Sequence, residues 1–382
     1  MEPIHSYIYS IPYIVLILVL LCFSLYEKRE RTRNVTLFAM GGVLVLFFGL
    51  RGFVQTDWYL YYWLYYRVPS FLESGIYTEA RIEPGYMLLT QLFKTVTSDY
   101  FVWVFINTIV DIFAFTIIFR RYSRSIAWSW IIFLCFSGLV LEFNLMRNVK
   151  AIIIFLLSLP YVEKREFWKF FVLWLLAMAM HTSSIFYLPA YFILTKNWGR
   201  VVPLVLLVLV NFIFLLKAYP TTWLLSKLSG MESAFVGKAI GYLAGSEVEE
   251  GLTFGYIERT TMFILVYVFY RKLYERRKSN LIFCNAMYIY YVLWYIFSDV
   301  PVFVERMPVL FSFGYWILVP NMMGLARGKI RRMVNVFVLL FAILKIITVT
   351  DHILYQYDNQ VTGIKSKEAR MVDMRRYENL RR

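Results

Sequence analysis

A small set of ionisable residues stands at the ends of apolar stretches in this chain. Arg51 follows one such stretch, in Arg51-Gly52-Phe53-Val54-Gln55-Thr56-Asp57-Trp58. Glu83 precedes Pro84-Gly85-Tyr86. Arg147 lies in Met146-Arg147-Asn148, His181 in Met180-His181-Thr182-Ser183-Ser184, and the pair Glu305-Arg306 opens a later stretch. Charges in membrane segments are costly and usually face a cavity or a partner. A guanidinium fork gives two charge-assisted hydrogen bonds to phosphate oxygens. An imidazole can take a proton near neutral pH. Three arginines with carboxylates and a histidine at one level therefore suit a bulky phosphate. Each residue alone has a plainer reading. An outer arginine can be a snorkelling anchor, Glu305 and Arg306 can hold helices together, and His181 can be a satisfied interface histidine. Asp111 and Lys345 lie deeper; they either pair with each other or mark an ion path.

Other chemistries leave no trace. There is no G-x-x-x-x-G-K-[ST], no G-x-G-x-x-G and no H-E-x-x-H, so neither a P-loop, a dinucleotide fingerprint nor a zinc-protease helix is expected. D-x-D is also missing, which argues against a metal-bound nucleotide-sugar donor. No cofactor and no metal are expected. Cys22, Cys135 and Cys284 lack metal or disulfide spacing and read as small hydrophobes.

The elements that must carry these residues are membrane helices. Of 382 residues, 60% are hydrophobic and only 17% charged, and mean hydropathy is +0.59. A soluble domain has far more charge. Apolar windows predict about twelve spans, near 6–26, 34–50, 100–119, 125–142, 146–162, 166–181, 183–195, 200–217, 254–270, 280–298, 307–325 and 333–350. Tyr86–Thr97 is apolar but short and reads as re-entrant or interfacial. The net charge of +15 is a topology signal rather than a nucleic-acid one. Lys28 to Arg33, Arg120 to Arg124, Lys164 to Lys169, Lys196 and Arg200, Arg271 to Lys278, and Arg327 to Arg332 occupy alternate loops, which places them on the cytoplasmic side.

The other side receives the N-terminus, two long loops near 51–99 and 218–253, the turns near 143–147 and 182, and 299–306. The charged tail 351–382, with Arg375, Arg376, Arg381 and Arg382, falls there too, after a membrane domain of 1–350. The first long loop is dense in rings: Trp58, Tyr59, Tyr61, Tyr62, Trp63, Tyr65 and Tyr66. It can be a helix lying flat at the interface, or an aromatic face for sugar rings. The second holds Gly230, Gly237, Gly241 and Gly245 before the acidic run Glu247, Glu249 and Glu250; it is too polar to read as a span.

In order and spacing, these residues resemble the EpsG family of Wzy-like bacterial polysaccharide polymerases, from about 35 to 325. The matching positions are Arg51-Gly52 with Asp57 and Tyr61, Glu83-Pro84-Gly85-Tyr86, Arg147-Asn148 (Asn where Gln is usual), His181-Thr182-Ser183-Ser184, and Glu305-Arg306. Val54 stands where members often carry a second glycine. The resemblance implies an all-α, GT-C-like bundle in the bacterial inner membrane, acting at its periplasmic or outer face. It implies transfer of a growing chain from undecaprenyl diphosphate to a sugar hydroxyl on the next lipid-linked repeat unit, building an exopolysaccharide, capsule or O-antigen. The lipid diphosphate is the leaving group, so no nucleotide is needed. Arg147 and Arg306, helped by Arg51, would face the diphosphate. His181 is the first candidate base and Glu83 its rival. Asp57, Tyr61, Tyr86, Asn148 and Glu305 would bind substrate. The lipid-linked oligosaccharide, as donor and acceptor, and the bilayer are the expected partners, with a chain-length regulator and a flippase alongside. An O-antigen ligase would use the same groups. A flippase would instead line a path through the membrane, whereas these charges gather at one face.

Overall fold

The computed structural model describes residues 2–79, 82–218, 220–228 and 253–381. Gly230, Gly237, Gly241, Gly245, the acidic run Glu247, Glu249 and Glu250, Arg382, and the side chains of Glu305 and Arg381 lie outside this description. Every regular element among the described residues is helical, and the β-type pairings are isolated bridges such as Arg51 with Asn359. The chain divides into two compact units, Met1–Tyr187 with Val319–Arg382, and Leu188–Leu318.

The first unit begins with α1 (Ile11–Tyr26), α2 (Arg33–Gly49), α3 (Trp58–Arg67) and α4 (Pro84–Val96). Next come α5 (Tyr100–Tyr122), α6 (Ile126–Phe133), α7 (Leu139–Phe143), α8 (Met146–Glu163) and α9 (Phe167–Met180). Helices α10 (Tyr187–Ile193), α11 (Val201–Leu215), α12 (Pro220–Leu228), α13 (Phe254–Arg276), α14 (Asn280–Ile296) and α15 (Pro301–Arg306) follow. The chain ends with α16 (Phe313–Met323), α17 (Gly328–Thr350) and α18 (Lys367–Arg381).

Every apolar window contains a helix, but few have the length and composition of a full crossing. Among the described residues, Tyr7–Tyr26, Tyr100–Tyr122, Ile126–Phe143 and Gly328–Thr350 qualify, and a bent pair formed by α11 and α12 would make a fifth. At 1.5 Å per residue, helices under eighteen residues fall short of a ~30 Å hydrocarbon core. Helix α8 is long enough, yet it carries Arg147, Lys150 and Glu163. The ends of α5 follow its sequence. Asp99 Oδ1 accepts from the N–H groups of Phe101 and Val102 at 2.7 and 3.0 Å, while Arg120 and Arg121 meet the negative end of the helix dipole.

The aromatic loop is a core element as well as a surface. Trp58, Tyr61 and Tyr65, three and four residues apart, face inward with Tyr86, Tyr100, Trp103 and Met146. Tyr59, Trp63 and Tyr66 are exposed. A helical period thus sorts one ring-rich segment into a packed stripe and an outward stripe.

The tail closes on the same end of this unit. Gly52 N–H donates to the Asp358 carbonyl at 3.0 Å, and Gln360 N–H to that of Leu50 at 2.9 Å. A Cβ on Gly52 would collide with the Asp358 carboxylate and press on Ile364, so glycine lets the tail lie close without displacing them. Met371 and Met374 of α18 pack on the aromatic cluster, and Lys367 sits 4.7 Å above the Trp63 ring. Ser6 N–H reaches the Asp351 carbonyl at 2.6 Å. The N-terminus, the first long loop and the tail therefore share one end.

The second unit is held by buried polar side chains between apolar helices. Asn285 Nδ2 donates to the carbonyls of Leu194 and Lys196, both at 2.8 Å. Asn211 bridges Tyr291 (2.8 Å) and Tyr256 (2.6 Å).

Candidate functional site

Local sequence brings Glu83 to the end of α9. Glu83 precedes a proline and is extended, with φ −65° and ψ 140°, as that position favours. Pro84 then starts α4 with its fixed φ. Gly85 lies hard against α9: a Cβ there would stand 2.8 Å from the Ala179 Cβ and 2.9 Å from the Ala179 carbonyl oxygen. The bare glycine thus lets the start of α4 touch the last turn of α9.

On the other side of this contact, α9 stops at Met180. His181 turns to an extended conformation while its N–H still reaches the Ala177 carbonyl at 2.9 Å. A short 3-10 turn over Thr182–Phe186 follows. It is pinned by Trp174 Nε1 donating to the Ser184 carbonyl at 2.9 Å and by Ser184 Oγ donating to that of Ala177 at 3.2 Å. The hydroxyl residues after the histidine therefore fold its turn back onto α9.

One carboxylate gathers the site. Glu83 Oε2 accepts from Arg147 Nη1 at 2.6 Å. Glu83 Oε1 lies 2.7 Å from His181 Nδ1 and accepts from the Thr182 N–H and hydroxyl, both at 3.2 Å. Tyr61 accepts a further hydrogen bond from Arg147. The side chains of Glu83, His181 and Arg147 are 8%, 12% and 16% exposed, so the group is sheltered but not sealed. Burial pushes the Glu83 carboxyl up. The hydrogen bond and charge of His181, the charge of Arg147 and the Thr182 N–H outweigh it and bring the carboxyl down to about 2.

An ionised Glu83 has no proton to give, so the hydrogen in its short contact with the imidazole belongs to Nδ1. When the ring is neutral it presents a lone pair at Nε2, which has no hydrogen-bond partner among the described residues. A carboxylate that orients an imidazole in this way makes it a competent base.

The other expected residues are placed differently. Tyr86 and Asn148 are buried, and the Tyr86 hydroxyl and Asn148 Nδ2 have no partner among the described residues. Asp57 starts α3, where its N–H and that of Thr56 donate to Asn144 Oδ1, each at 3.2 Å. Asn144, which belongs to no motif, lies in the turn before Met146. Arg51 is buried and turned onto main-chain carbonyls. Nη2 donates to Glu142 at 2.7 Å and Nη1 to Phe48, so the fork ties the turn after α2 to α7. Arg306 is exposed at the end of α15 in the second unit.

Asp111 does not pair with Lys345. Lys150 Nζ donates to both its oxygens, at 2.7 and 2.6 Å, and Lys345 lies 5.6 Å above the Phe136 ring. The physical reason is helical register. Lys150 is three residues from Arg147 on α8 and points from the same side of the helix toward α5.

The chain matches the family model described as the EpsG family over residues 34–359. The match includes the Arg51 turn, the Glu83 cluster and Glu305-Arg306, and it ends where the tail pairs with Arg51. No curated protein and no solved structure matches the chain.

Proposed function

The chain belongs to the EpsG family, and from that premise we propose that it is a membrane glycosyltransferase that polymerises lipid-linked oligosaccharide repeat units. The observation that carries this reading is the sharing of Glu83 between Arg147 and His181. It puts a base and an anion-binding fork on one carboxylate. In the proposed reaction the donor chain is held through its anomeric carbon to undecaprenyl diphosphate. His181 Nε2 takes the proton from a hydroxyl of the acceptor sugar, whose oxygen attacks the anomeric carbon. The bond from that carbon to the diphosphate oxygen breaks, and the lipid diphosphate leaves as an anion. Arg147 favours the charge that develops on the leaving oxygen. Glu83 holds the Nδ1 hydrogen and favours the imidazolium that forms.

Tyr61 would hold Arg147, to which it is hydrogen-bonded, and Tyr86, its ring neighbour in the aromatic core, would brace it, with Asp57 as a polar contact to the sugars. Arg51, already committed to carbonyls, is assigned to holding the loop. The full architecture would be a GT-C-like bundle of about twelve crossings in the bacterial cytoplasmic membrane, with this site on the outer face. The clustering of lysine and arginine in alternate loops supports that orientation.

The test is direct. Purified protein in lipid nanodiscs receives a synthetic polyprenyl-diphosphate repeat unit without nucleotide or metal. A ladder of products is expected. No product across several repeat units, with transport of the same lipid between leaflets, would overturn the reading.

A further inference from the structure

One buried arginine outside the site just described forms no salt bridge among the described residues. Arg259 lies in the second turn of α13, in the second unit, and is 7% exposed. Its Nε and Nη2 have no hydrogen-bond partner among the described residues. Its guanidinium carbon stands 3.1 Å above the Trp294 ring and 5.8 Å from that of Tyr295, and the Tyr295 side chain also hydrogen-bonds it. The neighbouring carboxylate, Glu258, accepts from the Tyr315 hydroxyl at 3.0 Å. Ring faces offset only part of the cost of burying a cation. Donors left without acceptors add to that cost.

The surroundings are shaped for the fork. Gly255 is four residues earlier, on the same face of α13. A Cβ there would come within 2.8 Å of Nη1 and 3.0 Å of Nη2. Glycine at 255 and tryptophan at 294 thus leave a flat slot that the guanidinium fills. The height is also informative. Arg271, Lys272 and Arg276 lie at the far end of α13, and by the charge bias that end is cytoplasmic. Arg259 is only ~7 Å along the helix from its opposite end, the depth of a lipid headgroup.

We propose that Arg259, stacked on Trp294, is an anion-binding site for the diphosphate of a polyprenyl lipid, separate from the Glu83 cluster. This rests on the polymerase reading, in which two lipid diphosphates, donor and acceptor, must be held at once. Phosphate oxygens would supply the acceptors that Nε and Nη2 lack, in the side-on geometry suited to a planar fork.

The experiment measures binding of farnesyl diphosphate to the purified full-length protein in phosphatidylcholine nanodiscs. The Arg147→Met variant serves as background, so that the remaining site is seen alone. Saturable binding is expected there. Adding Arg259→Met should weaken it by on the order of 10- to 100-fold. Arg259→Lys should weaken it by roughly tenfold, because the charge remains and the fork is lost. Inorganic pyrophosphate should compete. Thermal unfolding without ligand controls for folding. Arg259→Met should be at least as stable as its background, since a buried charge with no ion-pair partner among the described residues is gone.

Unchanged affinity on adding Arg259→Met would overturn the proposal. So would loss of stability in Arg259→Met that Arg259→Lys restores without any change in binding, which is the signature of a structural cation. If phosphatidylglycerol in the nanodisc abolishes farnesyl diphosphate binding, the site takes ordinary phospholipid headgroups and the polyprenyl assignment falls. The assay needs no turnover. Failure of the polymerase reading would show as a missing product ladder with binding intact; failure of this proposal would show as unchanged binding.

Discussion

Two ion pairs sit one turn apart on α8, and they are built differently. Arg147 meets a carboxylate that is shared with an imidazole and two Thr182 donors. Lys150 meets a carboxylate from α5 with both its oxygens, and its Nζ also points to the Asn107 carbonyl at 3.4 Å. The side chains of Lys150 and Asp111 are 8% and 7% exposed, against 16% for Arg147 and 12% for His181. The deeper pair is closed on itself. The more exposed one ends in a ring nitrogen with no partner among the described residues. The same residue chemistry thus gives a tie in one place and a candidate reaction centre in the other. The difference lies in the third group on the carboxylate.

The largest effect should come from removing that third group. His181→Ala keeps the Arg147–Glu83 pair and removes the base. The polymerisation rate should fall by about 10²–10⁴-fold, the usual contribution of a positioned base, with thermal stability little changed. His181→Gln, which can still donate to Glu83, should be as inactive as alanine. Wild-type ladder length in either variant would remove His181 from the chemistry and make the outer pair another tie.

The deeper pair should respond in the opposite currency, stability. Lys150→Met leaves Asp111 buried without its cation, which costs ~3–5 kcal/mol. Combining it with Asp111→Leu should recover most of that loss, because a buried pair replaced by apolar groups is often neutral or better. Thermal unfolding of the three proteins in detergent measures the cycle. If the double variant folds and still loses turnover, the deeper pair also takes part in function and the contrast fails.

The contrast also explains what could be read without coordinates. Glu83, Arg147 and His181 were legible because each ends an apolar stretch on the same expected face, and because their motifs match a family. The glycine of Glu-Pro-Gly-Tyr was visible as a letter, yet its job, contact with Ala179, needs two helices far apart in the chain. Lys150 was hidden inside an apolar run. The pairing of Asp111 with Lys345, one of the two readings open for them, does not form, because a pair at depth depends on which helices are neighbours, which composition does not encode. Arg259 had only a faint signal, a charged dipeptide near the start of an apolar helix. The helices themselves were well placed. Several of their lengths were not: the window near 307–325 takes in a short 3-10 turn, Pro308–Phe311, before α16 begins, and the window near 200–217 holds a fifteen-residue helix.

A smaller effect tests the contact that delivers Glu83. Gly85→Ala puts a methyl where Ala179 already stands. Overpacking of this kind costs roughly 1–3 kcal/mol. It should also move Glu83 by some tenths of an ångström from His181, lowering the rate by about tenfold given the steep dependence on position. Ala179→Gly in the same chain removes the methyl on the opposite side. It should return part of both losses, read as thermal stability and initial rate. A Gly85→Ala protein with normal rate would show that the cluster tolerates slack and that the fit between α4 and α9 serves only the fold.

The smallest effect is in the pH dependence of stability, and its sign follows from Glu83. The group sits at about 2 in the folded protein against 4.5 for an ordinary glutamate. Folding therefore favours the ionised form. The stabilisation is complete above about pH 4.5, declines as the pH falls below it, and is lost by about pH 2, because the unfolded chain takes up the proton first. Between pH 5 and 8 the carboxylate stays charged, so this group adds no slope there. Glu83→Gln cannot titrate. The difference in melting temperature between wild type and Glu83→Gln should shrink steadily as the pH falls from about 4.5 toward 2. Other acids shift both proteins alike, and the subtraction removes them. A difference that stays flat down to pH 3 would mean that the Arg147–Glu83–His181 contact contributes no charge stabilisation, and the outer cluster would lose the electrostatic feature that sets it apart.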